Sequence, residues 1–253
     1  MDLGLADRVY VLTGASRGLG YATAECLVAD GARVVLSARD GDRVAAAVER
    51  LGNPRQAVGV AADLADPAAP GRLVEAAREH FGRLDGALVS VGGPPPGTAA
   101  TATDAQWRDS FETVFLGTVR TARTVAAELP DGGAIGLVLS TSVRSPIAGL
   151  GISNGLRPGL AGVAKDMADE YGPRGVRVFG LLPGRIMTDR NRELFAATGD
   201  PARAQAEVEL AIPLRRLGEP AEFGRVAAFA LSPAAGYLTG VTIPVDGGAL
   251  RSL

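Results

Sequence analysis

Short apolar runs alternate with longer amphipathic segments along the whole chain. The runs at 8–13, 33–37, 56–61, 86–91, 134–140, 176–181 and 241–245 are rich in Val, Leu and Ala, the signature of strands buried on both faces. Segments at 18–30, 41–51, 67–81, 104–129, 155–171 and 219–231 carry apolar residues at helical spacing. Strands that alternate with helices predict right-handed crossovers and a parallel sheet. The expected fold is α/β, a doubly wound parallel sheet of about seven strands with helices on both faces. No linker-like stretch or repeat divides the sequence, so residues 1–253 are expected to form a single domain. Three segments read as long loops: 92–97, stiffened by Pro94, Pro95 and Pro96; 141–153; and 184–200. Each follows the carboxyl end of a strand, where open α/β sheets bind ligands.

The run Thr13-Gly14-Ala15-Ser16-Arg17-Gly18-Leu19-Gly20 lies between the first apolar run and the first helical segment. A glycine-rich turn in that position points free backbone N–H groups outward at a helix N-terminus, where the helix dipole favours an anion such as phosphate. Gly14 and Gly18 allow the tight turn and close approach to a pyrophosphate, and Gly20 lets the helix pack on the sheet. Because the strand–turn–helix context is present, the domain is expected to be Rossmann-like. Thr13, Gly14, Ser16, Arg17, Gly18, Leu19 and Gly20 are its candidate cofactor-binding residues.

The second strand ends Ser37-Ala38-Arg39. An acidic residue there would hold the ribose 2′-hydroxyl of NAD; an arginine instead suits a 2′-phosphate. Arg39 and Arg17 flank the same place, and a guanidinium offers planar, bidentate hydrogen bonds to phosphate. The pair points to NADP (NADPH) over NAD. The plainer alternative is that both arginines are solvated surface charges.

Composition narrows the remaining classes. Aromatic residues make up 5% of the chain and the net charge is −2, which argues against a nucleic-acid surface. Cys26 is the sole cysteine, which fits a reducing, cytoplasmic compartment, and no His, Cys or carboxylate cluster has metal-ligand spacing. No signal peptide or membrane span is read from the sequence.

At this point the chain resembles the short-chain dehydrogenase/reductase family over nearly its whole length. Thr13 to Gly20 is similar to the family's glycine turn. Asp63-Leu64 resembles the segment with the acidic residue that contacts adenine, and Gly92 falls where the family has Asn-Asn-Ala-Gly after the fourth strand. Pro183-Gly184, then Ile186 and Thr188, resemble the segment that closes over the nicotinamide. Residues 213–218, 237–240 and 245–248 are similar to the family's C-terminal pattern. The resemblance implies hydride transfer to or from a nicotinamide cofactor, and a homodimer or homotetramer.

The family's catalytic set is an Asn, a Ser and a Tyr-xxx-Lys pair. Alignment without gaps puts Ser153 at the Tyr position and Arg157 at the Lys position, one helical turn apart. Ser140 falls at the serine position, with Ser142 the alternative if the loop is shorter, and Phe115 falls at the Asn position. Serine is a poorer general acid than a tuned tyrosine, and arginine stays protonated, so neither replaces the proton relay. Arg157 can still hold ribose hydroxyls, stabilise an oxyanion or sit in a buried ion pair. Pro158 suggests that its helix starts late, with Ser153 or Asn154 near the N-cap.

His80 falls at a helix end remote from the strand carboxyl ends, Cys26 and Trp107 read as packing residues, and Arg185, Arg190 and Arg192 flank the nicotinamide loop. The leading expectation is an NADP-dependent oxidoreductase acting on a carbonyl or secondary alcohol of a small, 3-oxoacyl or polyketide-like substrate, with Ser140, Ser153 and Arg157 as candidate catalytic residues. The alternatives are a non-catalytic nucleotide-binding sensor or assembly protein, and a non-redox lyase or cyclase on the same fold.

Overall fold

Seven strands build one parallel sheet in the order β3-β2-β1-β4-β5-β6-β7. They are β1 (Val9–Thr13), β2 (Arg33–Ala38), β3 (Ala57–Ala61), β4 (Gly86–Val89), β5 (Ala134–Val138), β6 (Arg177–Pro183) and β7 (Thr242–Val245). The structure is a computed structural model that describes residues 2–53, 55–196 and 198–252, without the side chains of Arg190 and Leu194. The sequence reverses direction at β1, so the crevice outside β1 and β4 is the topological switch point.

Strand alternation divides the core into two layers. Val9, Val11, Val35, Val89 and Leu137 face one way, and Tyr10, Leu12, Val34, Leu36 and Leu88 face the other. The first layer is covered by α3 (Ala69–Phe81), α5 (Gly117–Glu128) and α6 (Gly151–Tyr171), and the second by α1 (Gly18–Ala29), α2 (Gly41–Leu51) and α9 (Pro220–Leu231). Complete burial of each Val or Leu side chain is worth about 1.5–3 kcal/mol, so the central strands β1, β2, β4, β5 and β6 are held from both sides. Arg177 is buried beneath α9 and donates to the Ala230, Leu231 and Ser232 carbonyls, which satisfies the helix's open C-terminus. Burial pushes the Arg177 pKa down, against the neighbouring Tyr10.

Three sequence expectations change. The helix expected over 104–129 is α4 (Asp104–Ser110), a π-helical turn at Phe111–Leu116, and α5. The segment expected as a loop over 184–200 contains α7 (Asp189–Ala196), followed by α8 (Pro201–Ala211).

The third change concerns α6, which starts at Gly151 rather than near 155 and carries Pro158 in its interior. Its N-cap is Leu150, so neither Ser153 nor Asn154 caps it. The loop after β4 supplies what a cap would have supplied: the Gly151 N–H donates to the Gly97 carbonyl at 2.8 Å. Pro158 removes the hydrogen bond that the Asn154 carbonyl would have accepted. The flanking Gly155 and Gly159 admit large neighbours there, since a Cβ on either would stand 2.7 or 2.8 Å from the rings of Trp107 and Phe115, respectively. Asn154 turns its amide outward and exchanges two hydrogen bonds with the Ile147 backbone, at 3.0 and 2.9 Å.

Candidate active site

The carboxyl ends of β1 to β4 open onto a cavity of about 470 Å³. Thr13, Gly14, Ser16 and Arg17 form one wall and Arg39 a second. Asp63 and Leu64 form a third, and the loop from Ser90 through Gly92 to Pro95 closes the fourth. Thr13 clasps two walls: its hydroxyl donates to the Ser90 carbonyl at 2.8 Å and accepts from the Ser90 N–H at 2.9 Å.

The glycine turn has the backbone that its sequence requires. Gly14 and Gly18 adopt φ of +58° and +61°, a region that side chains disfavour. Gly20 packs so tightly that a Cβ would stand 2.8 Å from the Gly14 carbonyl oxygen. Leu19 turns inward and packs on the second core layer. Arg17 occupies the N-cap position of α1 without a side-chain cap, so α1 presents an uncapped N-terminus to the cavity.

Arg39 is exposed at the rim and forms no ion pair among the described residues. Arg17 pairs with Glu193 of α7 at 3.4 Å, so the segment after β6 lies against the turn. Thr188 is there too, its methyl 3.7 Å from where a Gly18 Cβ would be. Asp63 is exposed and accepts from the Ala65 N–H at 3.0 Å, while Leu64 is buried. Pro183 ends β6, Gly184 packs on Asp246, and buried Ile186 bridges to Gly218. These residues form the base of the α7–α8 segment beside the cavity rather than its wall.

Ser37 was not singled out by its sequence. It is 1% exposed, faces the cavity, and its hydroxyl has no partner among the described residues. Its only signal was its place at the end of β2, two residues before Arg39. An uncapped helix start, an unpaired Arg39 and an orphaned hydroxyl on one cavity fit the phosphate and ribose end of a dinucleotide.

The candidate catalytic residues gather at the β5 end, off the wall of that cavity. Ser140 accepts from the Ser142 N–H at 3.1 Å and so closes the short 3₁₀ turn at 141–143. Ser142 and Ser153 are the buried pair, 3% and 7% exposed, with hydroxyl oxygens 3.4 Å apart. Arg157 is 5% exposed and donates to the Val138 carbonyl at the end of β5. Phe115 stacks on Phe111 and packs toward Gly159, whereas its neighbour Val114 lines the cavity. The π-helical turn at 111–116 accounts for this, because an extra residue per turn shifts which side chain faces inward.

The other tempting residues lie elsewhere. His80 is exposed in the last turn of α3. Cys26 is half-buried on α1, and burial pushes its thiol pKa up. Trp107 packs toward Gly155. Arg185 is exposed, Arg192 pairs with Asp189 at 2.9 Å, and the Arg190 side chain lies outside the described residues. Among the described residues no helix is long and apolar enough to cross a membrane, and no group of three acidic, His or Cys side chains is placed to hold a metal ion.

Comparisons with known proteins agree with this fold. A family model described as enoyl-(acyl carrier protein) reductase matches residues 14–249. Levodione reductase of Leifsonia aquatica is 31% identical over 255 residues, covering 96% of this chain and 94% of its own. The L-sorbose reductase of Gluconobacter frateurii, solved with NADPH and L-sorbose, superposes with a TM-score of 0.91 at 31% identity over the full length of both chains. A short-chain oxidoreductase of Pseudomonas aeruginosa, described as containing an atypical catalytic center, gives the same TM-score, identity and coverage.

Proposed function

The chain belongs to the short-chain dehydrogenase/reductase family, and on that premise we propose that it is an NADP-dependent oxidoreductase with an atypical catalytic site. It interconverts a carbonyl and a secondary alcohol on a small substrate. The observation that carries the cofactor reading is the cavity that joins the glycine turn to Arg17 and Arg39. Uncapped α1 N–H groups hold the pyrophosphate, and Arg39, helped by Arg17, holds the 2′-phosphate. Asp63 and Leu64 meet the adenine, and Pro183, Gly184, Ile186 and Thr188 carry the segment that covers the nicotinamide. The solved relative holding NADPH supports this assignment.

When bound, the nicotinamide supplies or accepts the hydride. The chain's own part is electrostatic. Ser142 and Ser153 present two hydroxyls at one point, enough to donate to a carbonyl oxygen as it gains charge. Buried Arg157, one turn along α6, adds a fixed positive charge. Neither serine nor arginine releases a proton near neutral pH, so the proton is drawn from water. The relatives named for levodione and L-sorbose support a carbonyl substrate, and the 3-oxoacyl or polyketide-like class is the one we favour. A cytoplasmic homodimer or homotetramer completes the reading, supported by lone Cys26 and by exposed Phe111, Phe229 and Tyr237.

One observation favours a second reading. Ser142 and Ser153 close on each other, and Arg157 turns toward the Val138 carbonyl, as a nucleotide-binding protein without turnover would also permit. Calorimetric titration of cofactor-free protein with NADPH and with NADH, followed by a carbonyl panel, separates the two. Tight NADPH binding with oxidation by a panel member supports the enzyme; tight binding with no turnover supports the sensor; no binding of either dinucleotide removes both.

A further inference from the structure

Arg50, in the last turn of α2, reaches across to the glycine turn. Its guanidinium donates to the Ser16 carbonyl at 2.9 Å and lies 4.3 Å from the centre of the Tyr21 ring on α1. A stacked guanidinium with one arm on a carbonyl is held at two points, on two different elements. A trans peptide is planar, with its C=O and N–H on opposite sides. Drawing the Ser16 carbonyl toward Arg50 therefore turns the Arg17 N–H to the side opposite Arg50. Ser16 and Arg17 both line the cavity, and the Arg17 N–H has no acceptor among the described residues. Arg17 itself is extended, with φ −160° and ψ 175°, so its N–H stands outside the helix ladder.

We propose that Arg50 is a positioning residue for the dinucleotide: it holds the Ser16–Arg17 peptide in the orientation that offers the Arg17 N–H to the pyrophosphate. The proposal rests on the cofactor reading above. It concerns the part that NADPH and NADH share, whereas Arg39 is assigned to the 2′-phosphate that only NADPH carries. Arg50 thus affects affinity without affecting selectivity.

The test is calorimetric titration of NADPH and NADH into the unmodified protein, Arg50→Ala and Arg50→Lys, with thermal unfolding of each cofactor-free protein. Because exposed Arg50 acts on the cofactor only through the peptide it orients, its loss is expected to weaken both dinucleotides by the same factor, about three- to tenfold in Arg50→Ala, the range of one ordinary hydrogen bond. The cofactor-free melting temperature is expected to move by no more than about 2 °C. Arg50→Lys keeps a donor and recovers part of the loss for both. Unchanged affinities overturn the proposal, and so does a loss confined to NADPH, which would make Arg50 a 2′-phosphate contact. A larger fall in melting temperature also overturns it, since a structural role would then explain the loss. If the unmodified protein binds neither dinucleotide, the cofactor reading fails and this proposal fails with it. If the unmodified protein binds and the variants bind equally well, this proposal alone fails.

Discussion

Ser142 and Ser153 hold their hydroxyl oxygens 3.4 Å apart in the buried end of the site, while Ser140 turns its hydroxyl back to the Ser142 N–H. In the proposed mechanism Ser142, buried beside Ser153, rather than Ser140 is the serine assigned to a substrate oxygen. Ser142→Ala is expected to lower kcat/KM for NADPH-dependent carbonyl reduction by about a hundredfold, the usual cost of losing one oxyanion donor. Ser140→Ala is expected to lower it less than about threefold, with a loss of stability from the opened turn. Steady-state kinetics on the two variants decides; equal losses would remove the distinction.

Arg39 stands at the cavity rim without an ionic partner among the described residues. An unpaired guanidinium is ready for a dianionic phosphate, and a charge-assisted pair is worth about 1.5–3 kcal/mol. Arg39→Ala is therefore expected to raise the NADPH dissociation constant by about ten- to a hundredfold and to leave NADH within about twofold. Titration of both cofactors tests this, and an equal effect on each would count against the 2′-phosphate assignment.

The sheet was legible because strands buried on both faces must be apolar throughout, as Val9 to Leu12 and Val34 to Leu36 are. The glycine turn was legible because Gly14 and Gly18 need backbone that side chains resist. What escaped the sequence depends on partners distant along the chain. The start of α6 is set by the Gly97 carbonyl, which no local capping pattern announces. Val114 rather than Phe115 lines the cavity because a π-helical turn alters the helical phase. The α7 and α8 helices were hidden in a polar stretch, although Asp200 followed by Pro201 is an N-cap signal that was available. Arg50 carried no signal, since its link to Ser16 exists only once α2 has packed.

Glu193 of α7 holds Arg17 at 3.4 Å, and both side chains are exposed. An exposed pair contributes about 0–1 kcal/mol, so it competes modestly with a phosphate for the same guanidinium. Glu193→Gln is expected to tighten NADPH about two- to fivefold, with little change for NADH. The gain should shrink in 0.5 M salt, where the Debye length falls to about 4 Å and screening weakens exposed charge pairs directly. Weaker NADPH binding in the variant would mean that Glu193 supports the turn instead of competing with the cofactor.

Arg216 grips Glu222 through two hydrogen bonds, at 2.7 and 2.6 Å, and the same carboxylate accepts from the Glu219 N–H at 2.8 Å. These contacts tie α9 to the segment around Gly218, which pairs with Ile186 at the base of α7 and α8. The Arg216 hydrogen bonds, then the Glu219 N–H, hold the Glu222 carboxyl at about 2, below its ordinary 4.5. Above pH 4.5 the carboxylate is ionised in folded and unfolded chains, and its full contribution is present. Between pH 4.5 and about 2 the unfolded chain takes up the proton first, so the contribution falls, and it is gone below about 2. Both side chains are more than a third exposed, so solvent screening keeps the effect small. Glu222→Gln is expected to melt lower than the unmodified protein by a constant margin from pH 5 to 7, and the margin should close as the pH falls toward 2. Other carboxylates lower both curves in acid, which is why the difference between them is the quantity to follow. A margin that stays the same throughout acidification would show that the ion pair adds nothing and that the Gln variant loses stability for another reason.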